Sequence, residues 1–527
     1  MAQTALESAE SKSSGLIFTS AAVVCFLAIA AATSYNLTTK SLWYDETISS
    51  YYARQSFLTI ARMSLLDHVP PLYYWLLKVY SGILGRSDAA LRSLSVLCNL
   101  AAAVYLWRLA RERLDEKTAL YALVFFATSN YLLIRAQTAR AYPLFLFFTM
   151  ASVYYFFRSW QEEKKRWWLL YSFCLTCSLY TLYLGVATVA ALSVTVLLSA
   201  AKRLSRWHLR YVLWTGVSLA GFLPWAILLT VTHPSRNPDW WGDALPSGNF
   251  LKDFLSLFSS FFEAESLRQM PGNPAGAILA KLLLIGVGSI LIHSLIGWRK
   301  NERATRVLVF GCLFILISVL CNFVLNVFAA VDFPTSLRFI SLIPIAYLIV
   351  AAGISKLRLK GLEVLVLLVL VFPNLIAMRG TYASSSIEDW REMAQYIETN
   401  WQPGDCIVFV PGYMNIAFDH YAGNRYPELG YPKGLMNPAR MYWGYHSMRD
   451  SSEAERFLLE NAVIIRRSHR IWLIHSHNIL FDTGRQVPDA TMLIALQNKP
   501  LLKQEDFRRY SGILLYLFSR ADASAPR

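Results

Sequence analysis

The chain has little charge for its length. Only 16% of its 527 residues are Asp, Glu, Lys or Arg, whereas soluble domains carry about 25%. In contrast, 55% of the residues are hydrophobic and 14% are aromatic, and the mean hydropathy is +0.36. This composition excludes an ordinary soluble domain and predicts a polytopic membrane protein.

Carboxylates are scarce within the long apolar runs, where Glu363, near the end of one run, is the exception. Proton- and ion-coupled transporters place ionisable groups near the middle of the membrane, so this scarcity argues against that class. Cysteine is scarce in the C-terminal part, where Cys406 is the only one. A disulfide framework is therefore excluded there.

The apolar runs and the loops between them predict a topology. Eleven membrane helices are predicted, at 15–37, 89–107, 118–134, 141–157, 167–183, 185–201, 211–231, 276–297, 307–328, 339–353 and 361–378. One alternating set of loops holds 19 Lys and Arg in 44 residues, and these loops are 108–117, 158–166, 202–210, 298–306 and 354–360. By the positive-inside rule these loops are cytoplasmic.

The long loops 38–88 and 232–275 and the C-terminal part then face outward. The net charge of +15 forms no long basic tract, so nucleic acid is excluded as a partner. From about Thr381 the sequence changes to alternating helix and strand patterns separated by turns, which predicts an α/β domain. We therefore predict a membrane core at 1–380 and an extracytoplasmic domain at 381–527.

Two adjacent carboxylates stand out in the first outer loop, in "SLWYDETISSYYARQ". Asp45 and Glu46 lie among aromatic residues next to a membrane helix, where charge is costly unless it is paired, hydrated or used. One interpretation is the first turn of a hydrated helix, with Tyr44 part of an interfacial aromatic belt. The other is a catalytic site.

Further candidates lie in other outer segments. "LLDHVPPLYYWLLK" contains His68, followed by an aromatic helix that is too short to cross and is predicted to lie at the interface. "IRAQTARAYPLF" and "FPTSLRFISLIPI" contain Arg140 and Arg338. These arginines either extend toward lipid headgroups or hold a phosphate.

The order of these motifs resembles that of the GT-C glycosyltransferases. W-Y-D-E after the first helix, Pro-Pro-Leu-Tyr-Tyr, "QTARAYPL", "YTLYLG" and "LRFISLIPI" are similar to the bacterial members related to protein O-mannosyltransferases and lipid A aminoarabinose transferases. The resemblance implies a GT-C-like core of about eleven membrane helices with an extracytoplasmic α/β domain. It also implies an integral protein of the bacterial inner membrane.

The implied activity is transfer of a sugar from a polyprenyl-phosphate donor to a glycan, lipid or protein acceptor outside the cytoplasm. Asp45 matches the general base of the family, and Glu46 would orient Asp45 or bind the acceptor. Arg140 and Arg338 would bind the donor phosphate. The candidate substrate-binding residues are His68, Tyr44, Tyr73 and Tyr142.

Two departures from the family pattern bear on these roles. Thr138 stands where relatives have an acid that can join the aspartate in binding a divalent cation, so the sequence favours metal-independent catalysis. Val69 separates His68 from Pro70 where relatives read H-P-P, which weakens the transfer of any role to His68. The alternative functions are a transporter or flippase of lipid-linked sugars and a non-catalytic membrane assembly protein.

Overall fold

The computed structural model describes most of the chain, at residues 2–67, 69–201, 204–232, 261–263, 276–329, 339–359, 361–431, 451–476 and 490–520. The helices up to residue 383 are α1 (Ala2–Ser34), α2 (Tyr44–Arg54), α3 (Phe57–Leu66), α4 (Leu72–Leu84), α5 (Asp88–Arg113), α6 (Glu116–Thr128), α7 (Asn130–Ala136), α8 (Tyr142–Gln161), α9 (Lys165–Thr181), α10 (Gly185–Ala200), α11 (Arg206–Thr232), α12 (Gly276–Trp298), α13 (Glu302–Ala329), α14 (Leu342–Ile354) and α15 (Leu362–Ala383).

The membrane-helical fold is confirmed. Within the described part of the chain, six helices are long and apolar enough to cross a membrane, and the α6–α7 pair, which is bent by 61°, makes a seventh. Each of the eleven predicted spans falls on a helix or on this pair. The count of eleven spans and their orientation remain predictions.

The predicted span 118–134 is broken where a straight helix was expected. α6 ends at Thr128, and the side chain of Ser129 accepts a hydrogen bond from the backbone N–H of Leu132. A serine in this position caps a new helix, so α7 starts in a different direction. Because of this break, α7 runs at 61° to α6 and ends shortly before Arg140.

The C-terminal part forms the predicted α/β domain. Its helices are α16 (Trp390–Asn400), α17 (Asn415–Ala422), α18 (Ser451–Glu460), α19 (Ala462–Arg467) and α20 (Ala490–Gln497), and its strands are β1 (Asp405–Val410), β2 (Glu428–Gly430), β3 (Arg470–Ser476), β4 (Leu502–Tyr510) and β5 (Ile513–Arg520). The strand order is β2-β1-β3-β5-β4. β1 is parallel to β2 and β3, whereas β5 is antiparallel to β3 and β4.

The two faces of this sheet have different partners, because successive strand residues point to opposite sides. Cys406 and Val408 of β1 pack in one core with α18 and α20. Ile407 and Phe409 join a second core that also contains Tyr44 and residues of α4 and α16. The C-terminal sheet therefore packs on α2 and α4, and the predicted domain boundary at residue 380 remains a prediction.

Candidate active site

Both carboxylates of the predicted outer loop lie in the first turn of α2. This helix starts at Tyr44, and Trp43 before it supplies no capping side-chain oxygen. Negative charge is favoured at this end of a helix. Adjacent helical residues point about 100° apart, and Asp45 and Glu46 accordingly have different environments.

Glu46 is buried in an ion pair. Its side chain is 0% exposed and accepts two hydrogen bonds from Arg92, from Nε at 2.8 Å and from Nη2 at 2.6 Å. The backbone N–H of Ala139 donates to the same carboxylate at 2.7 Å. Its oxygens are buried and already hydrogen-bonded, which supports a structural role for Glu46. Its predicted catalytic role, to orient Asp45 or to bind the acceptor, remains a prediction.

Arg92 has a role that the sequence did not predict. Besides pairing with Glu46, it donates to the backbone oxygens of Leu37, Lys40 and Ser41 at 2.7–3.1 Å. It therefore fixes the irregular segment that leads into α2. A signal was present, because an arginine inside a predicted membrane span needs a partner.

Asp45 is partly accessible and lies beside Arg140. Its side chain is 31% exposed, and its Oδ2 is 3.3 Å from Arg140 Nη2. Arg140 Nη1 also donates to the backbone oxygen of Asp45 at 3.1 Å. A carboxylate that can accept a proton thus lies next to a guanidinium that can pair with a phosphate.

A second cation lies on the same connection. The guanidinium carbon of Arg135 is 5.1 Å from the ring centroid of Tyr131 and 5.8 Å from that of Tyr142. Tyr142 is half-buried. Its predicted contact with substrate remains a prediction, and in this structure its ring contacts Arg135.

Two other candidate substrate-binding tyrosines are buried. Tyr44 and Tyr73 are 3% and 1% exposed, and Tyr44 packs against Tyr413 of the C-terminal domain. Burial raises the pKa of Tyr73 well above its usual value, so its hydroxyl remains neutral. Neither ring presents an accessible surface in this structure, and direct substrate binding by either residue remains a prediction. His68 and Arg338 lie outside the described residues.

The surroundings of Asp45 do not fit a divalent cation. Its side chain pairs with the guanidinium of Arg140, and the Thr138 hydroxyl donates to the backbone oxygen of Arg135 at 2.9 Å. Among the described residues, no group of three or more His, Cys, Asp or Glu side chains is arranged to hold a metal ion. Metal-independent catalysis remains a prediction.

Known proteins share this architecture. A sequence profile of the dolichyl-phosphate-mannose-protein mannosyltransferase family matches residues 68–228. The apo structure of ArnT from Cupriavidus metallidurans superposes with a TM-score of 0.60 at 12% identity, over 98% of this chain and 100% of ArnT. The chain has the GT-C fold.

Two further GT-C structures carry lipid phosphates. ArnT from the same organism bound to undecaprenyl phosphate matches with a TM-score of 0.56 at 11% identity, over 97% of this chain and 99% of that one. The oligosaccharyltransferase AglB from Archaeoglobus fulgidus, in complex with an inhibitory peptide and a dolichol-phosphate, matches with a TM-score of 0.54 at 11% identity, over 97% and 75%. No curated protein matches the sequence. The predicted GT-C resemblance is confirmed.

A polar pocket lies on the other side of α2. Its volume is about 190 Å³, and it is lined by Thr47, Ser50, Tyr51, Arg54, Asn415, Ile416, Asp419, His420 and Asn424. The four α2 residues follow helical spacing, and Asp45 points about 200° away from Thr47. The pocket is therefore distinct from the surface that Asp45 presents.

An acidic pair beside this pocket predicts a pH dependence of stability. Burial and then the neighbouring charge of Asp419 raise the pKa of Glu428 from 4.5 to about 9. The folded chain therefore keeps a proton on Glu428 that the unfolded chain loses above about pH 4.5. The free energy of unfolding falls as the pH rises from 4.5 to about 9. Glu428→Gln should flatten the dependence and stabilise the protein at pH 8 by at least about 1 kcal/mol.

Thermal unfolding in detergent at pH 5.5 and pH 8 measures this effect. Glu398→Gln is the matched control, because Glu398 is 48% exposed and pairs with Arg425 on the same domain. An unfolding midpoint of Glu428→Gln that shifts with pH as strongly as the wild-type midpoint would contradict the prediction.

Proposed function

We propose that this chain transfers a sugar from a polyprenyl-monophosphate donor to an acceptor on the extracytoplasmic side of a bacterial inner membrane. The observation that carries the proposal is the accessible Asp45–Arg140 pair in a chain with the GT-C fold. The dense basic loops on the opposite side of the predicted topology support an outward-facing site. The acceptor is a glycan, a lipid or a protein.

The proposed reaction is a single inverting displacement. Asp45 removes the proton from the acceptor hydroxyl or amine, while a lone pair of that acceptor oxygen or nitrogen attacks the anomeric carbon of the donor sugar. The bond from that carbon to the phosphate oxygen breaks, its electron pair stays with the oxygen, and the lipid leaves as polyprenyl monophosphate. Arg140 stabilises the charge that develops on this phosphate. Arg338 remains a second proposed phosphate ligand.

The test is turnover by the purified protein with a panel of radiolabelled undecaprenyl-phosphate sugars, with and without EDTA. We expect the label to leave the lipid and to join an acceptor from a cell-envelope extract, at the same rate in EDTA. An absence of turnover with every donor would contradict transfer and favour the transport or assembly alternatives. Loss of turnover in EDTA would contradict the metal-independent step.

Arg140→Ala should reduce kcat/KM for the donor about 100-fold, because a fixed charge at the developing phosphate charge is lost. Arg140→Lys should recover only part of this loss, since lysine lacks the planar fork of donors. Arg86→Ala is the control, because Arg86 is an exposed arginine of the same outer segment. Equal kcat/KM values for Arg140→Ala and Arg86→Ala would exclude the proposed role of Arg140.

A further inference from the structure

The segment that leads into Asp45 is held by the C-terminal domain. The backbone N–H of Ser41 donates to Ser386 Oγ at 3.1 Å, and that of Leu42 donates to the Tyr421 hydroxyl at 2.7 Å. The N–H of Tyr44 donates to Glu388 Oε2 at 2.7 Å. Three of the four N–H groups before Asp45 therefore donate to side chains more than 340 positions away in the sequence.

Glu388 supplies a cap that the side chain of Trp43 cannot provide at the start of α2. The first N–H groups of a helix have no partner within the helix, and Trp43 cannot accept a hydrogen bond through its side chain. The carboxylate of Glu388 accepts from the first residue of α2 and also from Trp390 Nε1 at 2.7 Å. Glu388 is 4% exposed, so this contact is shielded from water.

The position of Glu388 is set by the turn between β4 and β5. Ser511 accepts from the N–H of Asp389 at 3.0 Å, and its hydroxyl donates to the backbone oxygen of Ile387. Gly512 has a φ of +69°, and a Cβ there would lie 2.6 Å from the Ile387 oxygen and 2.8 Å from Glu388 Cγ. Only glycine fits this turn without displacing Glu388.

A second set of contacts joins the C-terminal domain to the start of α5. The Tyr421 hydroxyl accepts from Leu42 and donates to Asp88 Oδ2 at 2.8 Å, and Arg391 also pairs with Asp88 at the start of α5. Because α5 carries Arg92, which binds Glu46, the C-terminal domain fixes α2 both directly and through α5.

We propose that the C-terminal domain sets the position of the catalytic base, with Glu388 as the principal positioning residue and Tyr421 as the second. This inference rests on the proposed function of Asp45 and deepens it. Glu388 touches neither donor nor acceptor. It acts through the backbone of Tyr44, so its loss affects the rate of the chemical step and spares binding of the lipid phosphate.

The experiment compares Glu388→Ala, Glu388→Gln, Gly512→Ala and Tyr421→Phe in the full-length protein, with Glu398→Gln as a control on the same domain. Hydrogen exchange by mass spectrometry follows the peptide that covers residues 41–47. We expect exchange there about tenfold faster in Glu388→Ala, as for loss of a hydrogen bond to a charged acceptor. Glu388→Gln, which keeps an acceptor oxygen, should restore part of the protection.

Turnover and lipid binding form the second readout. In Glu388→Ala we expect kcat to fall between about 10- and 100-fold through misplacement of the base. The Kd for undecaprenyl phosphate should stay within about twofold of the wild-type value, because a positioning defect spares ground-state binding. Gly512→Ala and Tyr421→Phe should lower kcat in the same way, although both keep the Glu388 carboxylate.

Unchanged exchange at residues 41–47 in Glu388→Ala would overturn the inference, and so would a wild-type kcat with faster exchange. Failure of the proposed function has a different signature, namely no turnover by the wild type or full turnover by Asp45→Asn. The exchange measurement needs no substrate, so it decides whether Glu388 holds the segment in either case.

Discussion

Asp45→Asn is expected to lose between about 10²- and 10⁴-fold in kcat, the range that a positioned general base contributes. The amide has nearly the same shape as the carboxylate but cannot accept the acceptor proton. Because Asp45 is only partly buried and its backbone is held by Arg140 and α2, we expect the fold to survive. Binding of undecaprenyl phosphate should not weaken, since Asp45 is proposed to face the acceptor and the substitution removes a negative charge beside Arg140.

The matched control is Asp67→Asn. Asp67 lies in the same segment between α1 and α5, follows α3 and accepts a hydrogen bond from the Tyr52 hydroxyl at 3.4 Å. An asparagine keeps an acceptor oxygen for that contact. Single-turnover measurements on both variants separate chemistry from product release. Turnover by Asp45→Asn within about twofold of the Asp67→Asn rate would contradict the assignment of the base, given the size of a general-base contribution.

Arg92→Met is expected to destabilise the protein by about 3–5 kcal/mol, because it leaves the buried carboxylate of Glu46 without its partner. The double variant Arg92→Met with Glu46→Gln should recover much of this loss, since no buried charge is then unpaired. Arg111→Met is the control on the same helix. Arg111 pairs with Glu116 at 2.9 Å, but both side chains are more than a third exposed, so this pair contributes about 1 kcal/mol or less.

Thermal unfolding in detergent measures the stability of all three variants. An equal loss of stability in Arg92→Met and Arg111→Met would show that the Glu46 pair is no more important than a surface pair. Failure of the double variant to recover stability would show that packing around Arg92 matters more than its charge.

Much of the fold follows from local sequence patterns. Long apolar runs place the helices, and a continuous run of buried residues in β1 is typical of a central parallel strand. The break at Ser129 was not predicted, because an apolar run does not show where a side chain caps a new helix. Which face of the sheet packs on α2 and α4 also could not be predicted, since β1 and β3 are apolar on both faces.

The candidate site was predictable only in part. The residues Asp45 and Arg140 could be picked out because charge is rare in this chain. The sequence does not show that Glu46 and Arg92 have a different role from Asp45 and Arg140. That difference depends on the tertiary contact between Glu46 and Arg92, which are 46 positions apart in the sequence. The contribution of Glu388 gave no sequence signal, since it arises from the docking of residues that are 344 positions apart.

The central claim is that a bond between sugar and lipid phosphate is broken on the outer face of the membrane. The most direct measurement uses proteoliposomes with a doubly labelled undecaprenyl-phosphate sugar and counts free lipid phosphate against sugar joined to acceptor. We predict equal amounts of the two products, formed only when the acceptor is present on the side of the C-terminal domain. Movement of intact donor between leaflets without release of lipid phosphate would contradict the claim and identify a transporter.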